Sequence, residues 1–308
     1  MRYLVTGAAG FIGSHLARAI AAAGHEVTGV DAFTDYYDPS RKRENAEGLD
    51  VVEADLVTAT LEPLLADVDG VYHLAGQPGV RASFGPDFEH YVHRNVHASG
   101  RLFEAAARLG KRVVYASSSS VYGDAESYPT AETAVPQPIS PYGVTKLCVE
   151  HLAYAHRRTT GLDAVGVRYF TVYGPRQRPD MAFTPLLEAL EAGEPFRLFG
   201  DGSVSRSFTF VADAVAGTVA AMGRGAGGEI YNVGGGEEAT MSDAISLAEA
   251  IAGRELVLER HAAAVGDVRR TRADVTKAAA ELGWAPTTSL EEGLRAQWAW
   301  VAGRVAAP

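Results

Sequence analysis

Tyr142 and Lys146 stand four residues apart in the run Ser140-Pro141-Tyr142-Gly143-Val144-Thr145-Lys146. On a helix that spacing puts a phenol and an ammonium on one face. Ser140 is a good N-cap and Pro141 suits a first turn, so the helix is predicted to begin just before the phenol. The chemistry suggested is proton transfer. A free phenol titrates near ~10, and bringing it to about 7 takes roughly 4 kcal/mol of preferential stabilisation of the phenolate. The Lys146 ammonium and the positive helix end can share that task. A surface tyrosine and lysine on an ordinary helix explain the same pair. Upstream, Ala116-Ser117-Ser118-Ser119-Ser120-Val121-Tyr122-Gly123 closes a predicted strand at the edge where open α/β sheets bind ligands. A serine hydroxyl there can hydrogen-bond a reacting oxygen, and a plain serine-rich turn is the competing reading.

A second constellation opens the chain. Gly7, Gly10 and Gly13 in Thr6-Gly7-Ala8-Ala9-Gly10-Phe11-Ile12-Gly13 follow a predicted strand and lead into a predicted helix. Glycines at such a junction let the backbone approach a pyrophosphate whose charge the helix N-terminus stabilises. Phe11 and Ile12 belong to the same turn. Asp31 closes the second strand, where a carboxylate accepts hydrogen bonds from ribose hydroxyls and repels a 2'-phosphate, which favours NAD over NADP. Lys42 and Arg43 offer an NADP phosphate clamp or simply a solvated basic turn. Asp55 and Leu56, after the third strand, suit an adenine contact or a helix cap equally.

The elements that must hold these groups alternate. Strand-length apolar runs at Tyr3–Thr6, Glu26–Val30, Leu49–Glu53, Gly70–Leu74, Val113–Ser117 and Ala164–Tyr169 are separated by helical stretches, the longest at Phe11–Ala23, Phe88–Leu109 and Pro141–Thr160. This predicts a Rossmann-type, doubly wound parallel sheet over 1–173. Residues 123–140 read as a long surface loop. After Gly174 prolines crowd together, and 174–308 is expected to form a smaller C-terminal substrate-binding lobe, with segments returning to the first domain. With 308 residues and a net charge of −10, the chain suits a compact enzyme and argues against nucleic-acid or anionic-membrane binding. The single cysteine, Cys148, excludes an internal disulfide and fits a reducing cytoplasm. Strand-like sequence from Arg2 predicts no signal peptide, and no apolar run reaches the length of a membrane span. His73, His90, His93 and His97 form no metal-ligand spacing.

Taken in order, the pieces resemble the extended short-chain dehydrogenase/reductases, specifically the NAD-dependent nucleotide-sugar epimerase/dehydratase group. The resemblance spans nearly the whole chain: TGAAGFIG at 6–13, HLAGQPGVRAS at 73–83, ASSSSVYG at 116–123, SPYGVTK at 140–146, RYFTVYGPRQRPDMAF at 168–183 and GDGSVSRSFTFVAD at 200–213. It implies Ser118 as the catalytic serine, Tyr142 as general base and Lys146 as its partner. It also implies that Leu74, Ala75 and Gly76 line the NAD site, with Asn95 and Tyr169 nearby. Dehydrating relatives carry an acidic pair after the catalytic Ser/Thr, and decarboxylating relatives keep a glutamate at the second position. Here the two positions are Ser119 and Ser120, which points to a 4-epimerase. The implied cycle has Tyr142 take the 4-hydroxyl proton while hydride leaves C4 for NAD. The 4-keto sugar then turns over, and hydride returns to its other face.

By the same resemblance Arg206 meets a UDP-sugar diphosphate, although Ser207 replaces the usual aspartate after it. Asp267 and Arg269 match the later nucleotide-binding segment, with Asp267 near a ribose; either arginine could instead be a surface ion pair. GVRAS, RPDMAF and the stretch Asp35–Ser40 look like UDP-glucuronate 4-epimerases, and Thr171 stands where UDP-galactose 4-epimerases usually have asparagine. In that reading Ser119, Ser120 and Thr171 hold the C5 carboxylate, and Arg178 orients it or the neighbouring chain. Holding it matters, because a 4-keto sugar with a C5 carboxylate is a β-keto acid prone to lose carbon dioxide. UDP-glucose/UDP-galactose epimerisation is the alternative. A non-catalytic NAD-binding sensor and an alcohol dehydrogenase with freely exchanging cofactor are the readings outside this class. The family also implies a homodimer formed through helices that include the one bearing Tyr142.

Overall fold

Seven parallel strands form the central sheet of the computed structural model, which describes residues 1–262, 266 and 268–305. They are β1 (Arg2–Thr6), β2 (Glu26–Asp31), β3 (Val51–Glu53), β4 (Gly70–His73), β5 (Arg112–Ser118), β6 (Ala164–Tyr169) and β7 (Ile230–Val233). Their spatial order is β7-β6-β5-β4-β1-β2-β3, and every neighbouring pair is parallel. The first six are the apolar runs read from the sequence, with ends shifted by no more than two residues. β7 was not anticipated. It comes from beyond residue 200 and pairs with β6 from Ile230 opposite Gly166 to Val233 opposite Tyr169.

Successive strand residues face opposite layers. Tyr3, Val5 and Val114 point into one core with α1 (Phe11–Ala22), whereas Leu4 and Val113 point into the other. α2 (Ala98–Arg108) and α3 (Pro141–Thr160) cover that second face through Leu102, Phe103, Val149 and Ala153. α4 (Val211–Arg224) joins α1 on the first face through Val211 and Val215. Burying side chains the size of Leu102 or Phe103 contributes about 1.5–3 kcal/mol each, so a sheet covered on both sides demands continuous apolar runs. A third core gathers helices Phe183–Ala192, Met241–Ala252 and Leu290–Val305 around Leu186, Leu187, Ile245 and Leu294.

Two local features set up the site. α3 starts where predicted: Ser140 is extended at φ −137°, its Oγ accepts from the Gly143 amide at 3.1 Å, and Pro141 fills the first turn. Gly161 ends it at φ +76°, a conformation open to glycine at little cost. The helix expected over Phe88–Leu109 is continuous but not uniform, because Val92–His97 is π-helical. That widened turn brings Asn95 inward. Among the described residues no helix is long and apolar enough to cross a membrane.

Candidate active site

A cavity of about 1020 Å³ opens at the carboxyl ends of the strands, where the order reverses between β4 and β2 around β1. Gly7, Gly10, Phe11, Ile12, Gly13 and Asp31 line one end, followed by Asp55, Leu56, Leu74, Ala75 and Gly76. Ser118, Ser119, Ser120, Tyr142, Lys146 and Tyr169 line the middle, and Thr171, Arg178 and Arg206 line the far part. Two of the described residues picked out in the sequence lie elsewhere. Asn95 is buried behind the wall rather than in it. Arg269 is exposed and absent from the lining, a departure from the phosphate contact expected of it. Its amide donates to Asp124 at 3.2 Å and its carbonyl accepts from Ser205, which anchors this end of the Arg270–Thr271 strand away from the cavity. Asp267 lies outside the described residues.

The glycine end suits an adenine dinucleotide. A Cβ on Gly13 would sit 2.1 Å from the Gly7 carbonyl oxygen, and one on Gly7, whose φ is +72°, would sit 2.8 Å from the Ala75 nitrogen. α1 begins with no side-chain cap and no acid in its first turn, leaving its leading N–H groups for an anion. The Asp31 carboxylate accepts from the Ala9 and Phe33 amides at 3.1 and 2.8 Å. Burial pushes its pKa up, against the opposing charge of Lys42. Lys42 is not the solvated basic residue the sequence suggested: it is buried and donates to the Thr34 carbonyl and hydroxyl, both at 2.8 Å. Arg43 pairs with Glu53 at 2.7 Å and stacks on Phe33. Both cations thus have partners within the chain, and Asp31 is the carboxylate at this end of the cavity. Asp55 accepts from the Val57 amide at 2.8 Å and also lines the cavity.

In the middle, Ser118 and Tyr142 line the cavity together, and the Ser118 hydroxyl donates to the Ser120 hydroxyl and accepts from the Ser120 amide, both at 3.1 Å. The electrostatics differ from those the spacing suggested. Burial raises Tyr142 above the ordinary phenol value; Arg178 and Ser118 pull it down, and Asp180 pushes it up again. Lys146 has its Nζ 6.0 Å from the Tyr142 ring centroid and donates to the Ala116 carbonyl at 3.0 Å. Burial lowers Lys146 to about 8, with Glu150 resisting. Arg178, which acts to lower the phenol, comes from the loop between Tyr173 and Phe183.

Tyr36, Gln77, Asp180 and Glu150 were given no role of their own by the sequence reading, and each holds a residue of the site or its support. Arg178 forms a side-on pair with Asp180, Nε to Oδ1 at 2.9 Å and Nη2 to Oδ2 at 3.1 Å, and Tyr36 donates to Asp180 at 3.2 Å. Asn95 accepts from the Gln77 amide at 2.6 Å and donates to Thr145 Oγ1 at 2.9 Å, tying the loop after β4 to α3 beside Lys146. Glu150, four residues past Lys146, accepts from Arg168 and Ser117. That spacing was the only visible signal. Arg206 is held by the Ser205 and Val268 carbonyls at 2.8 and 2.6 Å.

The described NAD dependent epimerase/dehydratase family matches this chain over residues 3–234. A Bacillus subtilis (strain 168) protein named an uncharacterized UDP-glucose epimerase, YtcB, is 41% identical, with 98% of each chain covered. The UDP-glucuronate 4-epimerase of Thermodesulfobacterium geofontis is 35% identical over 97% of this chain and 95% of its own. The crystal structure of UDP-glucuronic acid 4-epimerase from Bacillus cereus, in complex with UDP-glucuronic acid and NAD, superposes with a TM-score of 0.96 at 40% identity, covering 99% of this chain and 100% of that one. The chain therefore belongs to the NAD dependent epimerase/dehydratase family.

Proposed function

We propose that this chain is an NAD-dependent 4-epimerase of UDP-sugars that interconverts UDP-glucuronate and UDP-galacturonate. The observation that carries the reading is the set of groups following Ser118. Ser119, Ser120 and Thr171 line the cavity with hydroxyls, and Arg178 lines it with a guanidinium. A carboxylate is recognised by such donors, whereas dehydration and decarboxylation use carboxylates in their place. In this reading the Gly7–Gly13 turn and Asp31 hold NAD, with Asp55, Leu56, Leu74, Ala75, Gly76 and Tyr169 around it. Arg206 meets the sugar-nucleotide diphosphate, and residues 174–308 act as the substrate-binding lobe, lending β7 to the sheet.

Tyr142 removes the proton from the sugar 4-hydroxyl and gives it back after the sugar has turned. Ser118, which lines the cavity with the phenol, orients the same hydroxyl. Lys146 contributes positive charge beneath the phenol, and Asn95 fixes the start of that helix turn through Thr145. Bound NAD supplies what no side chain can, a reversible hydride acceptor for C4. The serine and threonine hydroxyls hold the C5 carboxylate in the sugar plane, keeping the bond to carbon dioxide out of overlap with the C4 carbonyl. Exposed apolar side chains on α3 and the helix before α2, Val144, Tyr154 and Val92, suit a homodimer contact. The reducing cytoplasm is the compartment this reading implies.

Epimerisation of UDP-glucose is the second reading, favoured by the name of the Bacillus subtilis relative. Separate incubation with UDP-glucuronate and UDP-galactose, followed by chromatography of the sugar nucleotides, distinguishes the two. The expected result is conversion of the uronate without net NADH. Replacing Tyr142→Phe should lower kcat by about 10²–10⁴-fold while NAD stays bound. Near-normal turnover in that variant, or no conversion of any sugar despite bound NAD, would overturn the reading.

A further inference from the structure

Arg178 and Asp180 are two residues apart, separated by Pro179, whose ring fixes φ near −65°. Their side chains are 20% and 31% exposed, and both line the cavity. A guanidinium so poorly hydrated needs a counter-charge, since an unpaired buried cation is strongly destabilising. Asp180 supplies it through Nε and Nη2. Guanidinium carries five N–H groups, so the side-on pair leaves those of Nη1 and the second of Nη2 uncommitted to Asp180. That remaining edge is the fork that matches a second carboxylate. Asp180 is itself held from the loop after β2, where Tyr36 donates to Oδ2. Tyr36 is seated against Gly79, whose φ is +97° and whose place no larger residue could take, as a Cβ there would lie 2.1 Å from the phenol oxygen.

We propose that Asp180, latched by Tyr36, is a positioning residue that sets the plane of Arg178, presents its free edge to an anionic group on the sugar, and screens Tyr142 from the full guanidinium charge. The specificity part rests on the uronate reading above. A neutral sugar gains nothing from an oriented fork, whereas a uronate gains a directional, charge-assisted pair. The screening part stands apart from substrate identity. Tyr142 shares the cavity wall with Arg178 and Asp180 of this loop, Ser118 of β5 and Lys146 of its own helix, and its ring meets Tyr91 of helix Phe88–Tyr91 edge-on with centroids 6.2 Å apart. Asp180 opposes Arg178 in this set.

The test compares the parent with Asp180→Asn and Tyr36→Phe, each checked for folding by thermal denaturation. Asp180→Asn should raise KM for UDP-glucuronate by about tenfold, the scale of one charge-assisted hydrogen bond, and change that for UDP-glucose by less than about twofold. Its ascending pH limb of kcat should move to lower pH, because Arg178 then acts unopposed on the phenol. Tyr36→Phe should move the uronate KM the same way by less. Calorimetric binding of both sugar nucleotides reads the same split without turnover. Equal changes for the two sugars, or an unmoved pH limb, would overturn the proposal. Should the parent convert and bind only UDP-glucose, the uronate reading falls, and the pH limb measured with that sugar decides the positioning role. Should Asp180→Asn fail to fold, Tyr36→Phe decides through the same two readouts.

Discussion

Glu150 and Arg168 meet as a bidentate pair at 2.8 and 2.7 Å, one helical turn past Lys146, with each side chain only 5% exposed. Ser117, next to Ser118, donates to the same carboxylate. Arg168 also donates to the Tyr122 hydroxyl at 2.8 Å, and Tyr122 donates to Asn232 of β7 at 2.7 Å. Asn232 in turn donates to the carbonyls of Thr130 and Asp274 at 2.9 and 3.0 Å. One buried network thus joins α3, β5, β6 and β7 to Thr130 in the long loop and to Asp274. Buried ion pairs add little over a well-packed apolar replacement, but removing one partner strands the other charge.

Replacing Glu150→Gln should therefore act twice. Stability should fall by about 3–5 kcal/mol, because Arg168 loses its counter-charge. Lys146, already lowered to about 8 by burial and supported by Glu150, should drop further. Loss of the ammonium then begins at lower pH, so the alkaline limb of kcat should shift toward acid. Denaturant unfolding and a pH–rate profile check the two effects, and a profile matching the parent would confine Glu150 to a structural role.

The same pair marks where reading the sequence stops. Tyr142, Lys146 and Glu150 recur at a helical spacing that is plain in the chain, whereas Arg168 is brought to Glu150 only by the pairing of β5 with β6. The six leading strands were legible because a sheet covered on both faces needs unbroken apolar runs. β7, Ile-Tyr-Asn-Val, was not, since its buried asparagine is tolerated only through partners distant in sequence. Val92–His97 reads as ordinary helix, and nothing local announces its π geometry. The glycine turn and Asp31 carried their signal in residue type alone. The Arg178–Asp180 pair did not, because neither residue type nor spacing tells that the two side chains pair in the wall of the cavity that also holds Tyr142.

Gly13→Ala should separate cofactor loss from general damage. Its Cβ would lie 2.1 Å from the Gly7 carbonyl oxygen and 2.8 Å from the Gly7 carbonyl carbon, so the start of α1 must move off the turn. Overpacking of this kind costs about 1–3 kcal/mol. The purified variant should release less than a tenth of the parent's NAD on denaturation, taking that tenfold as about 1.4 kcal/mol of binding. Gly223→Ala is the control, with nothing within 4 Å of its added Cβ, and should keep full NAD content. Parental NAD in Gly13→Ala would show that the turn does not carry the pyrophosphate.

His73 ends β4 beside β1, at the point from which the Gly7 turn and residues 74–76 enter the cavity wall. Its ring nitrogens lie 2.8 Å from Thr6 Oγ1 and 2.9 Å from Ser99 Oγ. Thr6 Oγ1 accepts from the Ala75 amide and can donate its own proton to a neutral ring nitrogen. Burial, with Lys146 nearby, pushes His73 down to about 3. An unfolded histidine titrates near ~6.5, so between these values the unfolded chain binds the extra proton and stability falls as pH falls. From pH 7 to pH 5 the loss from this one group should be about 2 kcal/mol. Replacing His73→Gln keeps a donor and an acceptor but removes the titration. Urea unfolding of parent and variant at both pH values should show a smaller acid loss in the variant by that amount, and equal losses would mean that His73 is protonated in the fold or shielded in the unfolded chain.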